Sequence, residues 1–119
     1  MTGSRRGLTA IARIEPSRPI RIAVEHGIFS HRQSFFDYGC GRGADIEFVS
    51  SLGKKANGWD PIHRPDARRT KCAIVALTYV LNVIENVAER SRVLADAWAL
   101  AKDVLVVSVR LEADRDDAH

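Results

Sequence analysis

Cysteine is scarce in this chain: Cys40 and Cys72 are the two present in 119 residues. Two cysteines do not make a disulfide framework. One sits in a glycine loop and the other in an apolar run, so both read as small reduced residues of a cytosolic protein. Neither stands at metal-ligand spacing from His26, His31 or His63, so no metal is expected. Long apolar runs are also missing; none approaches the roughly 18 residues a membrane span needs. The basic start (Arg5, Arg6) is not followed by an apolar stretch, so a secretory signal is not expected. No Gly-Lys-Ser/Thr follows a glycine cluster, which excludes the Walker-type phosphate loop. Internal repeats are absent.

What remains has the balance of one small globular domain with a real core: 45% hydrophobic and 28% charged residues. The net charge of +3 is unevenly spread, at +6 over residues 1–71 and −3 over residues 72–119. Arg64, Arg68, Arg69 and Lys71 crowd one short stretch. Such a cluster suits a nucleic-acid backbone. A solvated loop is the commoner explanation, and no interleaved aromatic residue favours the first.

Hydrophobic periodicity gives the element order. Residues 1–7 read as a loose tail. Ser17, Pro19 and Gly27 bracket a short helix as N-cap, first-turn proline and terminator. Ser34–Tyr38 reads as a strand. Ala44–Leu52 reads as a helix with Phe48, Val49 and Leu52 on one face and Gly53 as its stop. Lys55–Trp59 is a second strand, and Pro61–Lys71 a loop. Cys72–Leu77 is a continuous apolar run, as expected of a strand buried on both faces. Asn86 and Glu89 form a capping box. The helix that follows is expected to place Val87, Leu94, Ala97, Trp98 and Ala101 on its inner face. Val104–Val109 is a last strand, and 112–119 a charged tail. Alternation of this kind predicts an α/β fold, over residues 8–111. Its mostly parallel sheet has helices on both faces.

The most informative stretch runs from Phe35 to Asp45: a buried strand ending in an acid, then Gly39-Cys40-Gly41-Arg42-Gly43, then a helix start. Glycines at a strand–helix junction let backbone N–H groups approach a ligand. Nucleotide sites of open α/β sheets are built there. Gly39, Gly41 and Ala44 also fit the loose dinucleotide pattern. A pyrophosphate against this loop would lie near the Asp37 carboxylate, which is unfavourable. S-adenosyl-L-methionine (SAM) brings no phosphate. It brings an ammonium and a sulfonium, and a carboxylate pairs with cations through charge-assisted hydrogen bonds. A second acid, Asp60, falls 21 residues after Gly39 at the end of the second strand, placed to accept ribose hydroxyls. That role fits NAD and SAM equally.

With these residues in place the chain resembles class I SAM-dependent methyltransferases. Phe36-Asp37-Tyr38-Gly39-Cys40-Gly41-Arg42-Gly43 looks like their first motif, and Gly58-Trp59-Asp60-Pro61 like their second-strand acid. Leu77 to Glu85 looks like the segment leaving their fourth strand. More narrowly it is similar to the methyltransferase family associated with DNA phosphorothioation, a bacterial DNA-backbone sulfur modification. His63-Arg64-Pro65-Asp66, Tyr79–Ile84 and Ala97–Ala101 carry that likeness further. The resemblance spans roughly residues 6–111 and implies a Rossmann-like core. It implies SAM as cofactor, held by Asp37, Gly39, Cys40, Gly41, Gly43, Asp60 and Tyr79. It implies DNA or a DNA-modification protein as partner. Two departures stand out: the usual third strand has no room between Asp60 and Cys72, and the family pattern continues past Val109. Relative to that family the chain reads as truncated.

Substrate-side candidates are Thr78, Tyr79 and Asn82, because they follow the fourth-strand position. No residue qualifies as a general base. No Asp/Asn-Pro-Pro-Tyr motif of amino methylation occurs. The readings left open are a SAM-dependent methyltransferase or its cofactor-binding part, a non-catalytic SAM-binding or interaction module, and, disfavoured by Asp37, an NAD(P)-binding module. An apolar last strand without cover is expected to self-associate or take a partner chain along its edge.

Overall fold

A computed structural model of the chain describes residues 15–110. The tails expected at 1–7 and 112–119 lie outside the described residues, as do residues 8–14 and Leu111.

Pro19 stands in the first turn of α1 (Arg18–Glu25), where its missing N–H costs nothing. Ile20 and Ala23 turn its inner face into the core, and Gly27, at φ 78°, carries the chain away. Ser17 takes the N-cap position, but its side chain does not cap. Its N–H and Oγ both donate to Asp45, at 2.6 and 2.7 Å, which ties the start of α1 to the start of α2. Strand β1 (Ser34–Tyr38) then leads through the glycine loop into α2 (Ala44–Ser51) and back along β2 (Lys55–Trp59). Residues 60–71 run as a loop to β3 (Cys72–Thr78). A 3-10 turn (Leu81–Val83), α3 (Val87–Leu100) and β4 (Ala101–Ser108) follow.

The four strands form one parallel sheet in the order β2-β1-β3-β4. Burial on both faces explains the unbroken apolar run of β3 and the adjacent buried Phe35 and Phe36 of β1. Phe35, Ile74 and Ala76 face α1 and α2 with Ile20, Phe29 and Val49. Phe36, Tyr38, Val75 and Leu77 face α3 with Ala97. Because β2 and β3 lie on opposite sides of β1, the connections leaving β1 and β3 diverge. A crevice opens above the carboxyl ends of those two strands, which is where ligands bind in open α/β sheets.

Three sequence expectations need correction. The last strand starts at Ala101, directly on the end of α3, rather than at Val104; Lys102 and Asp103 are carried by a register irregularity against Cys72–Ile74. The inner face of α3 is Val93, Ala97 and Leu100. Val87, Leu94 and Trp98 point outward, at 67%, 39% and 70% exposure. Both stripes of α3 are apolar, so periodicity alone had two faces to choose from. Leu52 is also exposed: it lies past the end of α2, and Ile46 and Val49 fill the core in its place.

The outward stripe of α3 and the edge strand β4 form an apolar groove lined by Leu94, Ala95, Trp98, Leu105 and Val107. An apolar edge with unpaired backbone groups is an association surface. This 119-residue chain is therefore expected to associate in a concentration-dependent way, and Trp98→Lys to reduce that association. Sedimentation velocity checks it; a monodisperse monomer at high concentration contradicts it.

Candidate functional site

Gly39, Gly41 and Gly43 all adopt positive φ, at 96°, 55° and 92°. One of the three, Gly39, is also required by a neighbour. A Cβ on Gly39 would stand 2.6 Å from Cγ2 of Val80, and one on Gly43 would stand 3.4 Å from the Arg64 guanidinium. Four of the loop's five N–H groups, all but that of Arg42, are bonded within the protein, against the expectation that they face a ligand. Those of Gly39 and Cys40 both donate to the Trp59 carbonyl, at 2.7 and 2.9 Å, and that of Gly43 to the Cys40 carbonyl, at 2.9 Å. The N–H of Gly41 donates to Asp60 Oδ1 at 2.9 Å. The end of β2 thus consumes donors that a phosphate would use.

Asp60 is the centre of that clamp. Its Oδ2 accepts the N–H groups of Ile62 and His63, at 3.0 and 2.9 Å. A carboxylate has about four acceptor positions, so roughly one is left for a ligand hydroxyl. Desolvation works to raise its pKa, but the His63, Ile62 and Gly41 donors prevail and hold it below the usual carboxylate range. Backbone bonds in both directions between Asp60 and Arg64 close a tight loop over residues 60–64. That closure lays the Arg64 side chain across Gly43 at the N-terminus of α2.

Asp37 points to the opposite face from Tyr38, toward α2. It is 2% exposed, and its Oδ1 has no hydrogen-bond partner among the described residues. Burial first, then the charges of Asp45 and Asp60, push its pKa from 3.8 up to about 7. Buried Cys40 sits between opposite charges. Desolvation and Asp37 push its thiol pKa up, while Arg64 pulls it down. A buried carboxylate and a guanidinium therefore flank the same turn of chain.

On the α3 face a cavity of about 600 Å³ opens above the strand ends, lined by Tyr38, Gly39, Trp59, Asp60, Thr78 and Tyr79 among others. The Trp59 indole is pinned by its Nε1–H bond to the Pro65 carbonyl, at 3.0 Å. Arg69 stacks over it, 4.2 Å from the ring centroid, and lies 5.5 Å from the Tyr38 ring. The basic loop therefore does meet aromatic rings, but across the fold rather than along the chain. Tyr79 has φ 60°, the one positive value outside glycine among the described residues. Its N–H bonds the Ser108 carbonyl at 2.9 Å, and Arg110 sits 5.5 Å from its ring.

Of the residues singled out from sequence, Gly39, Asp60, Thr78 and Tyr79 line the cavity. Asp37, Cys40, Gly41 and Gly43 lie along the glycine loop beside it. Asn82 is exposed on the 3-10 turn and does not line the cavity. Asn86 caps α3 by accepting the Glu89 N–H at 2.8 Å. Sequence reading missed Arg64, Arg69 and Val80 as parts of the site. The first two are legible in sequence only as members of a basic cluster, and the third only as one more apolar residue. No group of three or more metal-ligating side chains occurs among the described residues.

Two outcomes follow from this geometry. Gly39→Ala is expected to cost roughly 2–4 kcal/mol, from positive-φ strain and the clash with Val80, as read by urea denaturation. Asp37 makes stability depend on pH. Its folded pKa is raised, so its contribution is fully present below about pH 4 and is lost as pH rises to about 7. The full difference is on the order of 4 kcal/mol. Thermal melts of Asp37→Asn should therefore show a gain over the parent chain at pH 8 and little difference at pH 4.

No protein-family model, curated protein or solved structure matches the chain, so the reading of the site rests on its own geometry and chemistry.

Proposed function

We infer that this chain is a SAM-dependent methyltransferase, or the cofactor-binding part of one. The observation that carries the reading is Asp37: a buried carboxylate with an unpaired oxygen, beside a glycine loop whose N–H groups are largely spent within the protein. Such a site favours a cation and offers little to a pyrophosphate. NAD is disfavoured on both counts.

The remaining residues suit the rest of such a ligand. Arg64, laid over the N-terminus of α2, is placed for the carboxylate of an amino-acid end whose ammonium pairs with Asp37. The spare acceptor position of Asp60 takes a ribose hydroxyl. The Trp59 and Tyr38 side of the cavity gives a base an aromatic wall. SAM bound there supplies an electrophilic methyl group. The chain's part is to hold that methyl toward an acceptor and keep water out. The resemblance to DNA phosphorothioation-associated methyltransferases makes DNA, or a protein that modifies it, the acceptor or partner in this reading. One observation favours a non-catalytic SAM-binding module instead. The described cavity wall has no histidine, and of its three carboxylates Asp60 already accepts three N–H bonds, which leaves Glu89 and Asp96 as the groups a general base would have to come from.

Calorimetric titration with S-adenosylhomocysteine, SAM and NAD tests the reading. S-adenosylhomocysteine should bind and NAD should not; preferential binding of NAD reverses the assignment. Asp37→Asn should weaken S-adenosylhomocysteine roughly ten- to a hundred-fold, because a hydrogen bond to a charged group is lost. Asp60→Asn should weaken it by a comparable factor, through both the ribose and the loosened loop. Binding should tighten as pH rises from 6 to 8, because the ammonium pairs with the ionised form of Asp37.

A further inference from the structure

The two halves of the site lie on opposite faces of the sheet. Asp37 shares its face with Phe35, Ala76 and α2, whereas Tyr38 and Trp59 share theirs with α3. A ligand that uses both must cross the carboxyl edge of β1, and Gly39 is the residue at that crossing.

The crossing is filled by Val80. Its Cγ2 comes so close to Gly39 that a single added Cβ there would stand 2.6 Å away. Val80 is delivered by Tyr79, which leaves β3 at φ 60°. A bulky residue in that region carries strain, and strain of this kind persists only where surrounding contacts hold it. Here the holding contact is the Tyr79 N–H to the Ser108 carbonyl. Beyond Val80 the chain makes a single 3-10 turn, in which Val83 is 71% exposed, before Asn86 starts α3. Residues 79–84 thus open on one strained residue: Val80 and Leu81 pack on the α3-face core, whereas Asn82 and Val83 are exposed.

We propose that residues 79–84 form a strap that the ligand displaces, with Val80 occupying the crossing over Gly39 until an elongated ligand bridges the Asp37 side and the Trp59 side. The proposal rests on the reading of the site as one for SAM, because that ligand has a charged amino-acid end and a nucleoside end. A nucleoside alone occupies the α3-face cavity without crossing Gly39. The strap therefore opposes the bridging ligand and not the half-ligand.

The test is calorimetric titration of the 119-residue chain and its Val80→Ala variant with S-adenosylhomocysteine and, separately, with adenosine. Val80→Ala should bind S-adenosylhomocysteine roughly three- to tenfold more tightly. Its affinity for adenosine should be unchanged. An equal gain for both ligands would mean that Val80 only crowds the cavity, and overturns the strap. Weaker binding of S-adenosylhomocysteine would mean that Val80 is a wall the ligand leans on, and overturns it too. If neither ligand binds either protein, the SAM reading has failed and the strap falls with it. Tyr79→Gly supplies a readout without ligand: relief of the positive-φ strain should raise the melting temperature by a few degrees. A lower melting temperature argues against a strained strap.

Discussion

A carboxylate held out of water with one oxygen unpaired is the constraint around which this site is arranged. Asp37 could occupy its position without cost only if it stayed protonated or found a cation. The described protein supplies neither a hydrogen-bond donor to Oδ1 nor a salt-bridge partner. It supplies the opposite, the charges of Asp45 and Asp60. Natural interiors rarely leave such a group unsatisfied, and where they do a ligand or a function commonly explains it.

The surrounding structure keeps that arrangement in place from three directions. Asp45, in the first turn of α2, is held toward the segment before α1 by two bonds from Ser17. The Trp59 carbonyl and Asp60 gather the N–H groups of Gly39, Cys40 and Gly41, which fixes the loop's curvature. Val80 then leans on Gly39 from the far side of the crevice. Gly58, directly opposite Asp37 in the β1–β2 register, has no room for a Cβ, which would stand 2.7–2.8 Å from Ile46, the Asp37 carbonyl and Cys40. Gly39 and Gly58 are thus each explained by a neighbour at close range; Gly43 meets only the Arg64 guanidinium at ordinary contact distance, and beside Gly41 no atom would lie within 4 Å of a Cβ.

Much of this was legible in the sequence. The β1–glycine loop–α2 unit, β2, the loop in place of a third strand, and β3 were all placed from apolar runs, glycines and prolines, because those signals are local. The parallel sheet followed from their alternation. The site was less legible, because its chemistry depends on who bonds whom across the fold. Nothing in Gly39-Cys40-Gly41 says that their N–H groups end on Trp59 and Asp60. Nothing in the basic loop says that Arg64 reaches Gly43 while Arg69 reaches Trp59. The faces of α3 were misassigned for a different reason: the helix is apolar on two sides, and only packing decides which side is inner. Leu94 and Trp98 satisfy a helical period as well as Val93, Ala97 and Leu100 do.

The central claim is that Asp37 is a cation site. Its most direct measurement is the carboxyl ¹³C titration of Asp37 by NMR, in the free chain and with S-adenosylhomocysteine bound. The account predicts titration near pH 7 in the free chain. The ligand's ammonium should then move the midpoint down by at least one pH unit. A midpoint near 4 in the free chain, or one near 7 that the bound ligand leaves unmoved, would contradict it.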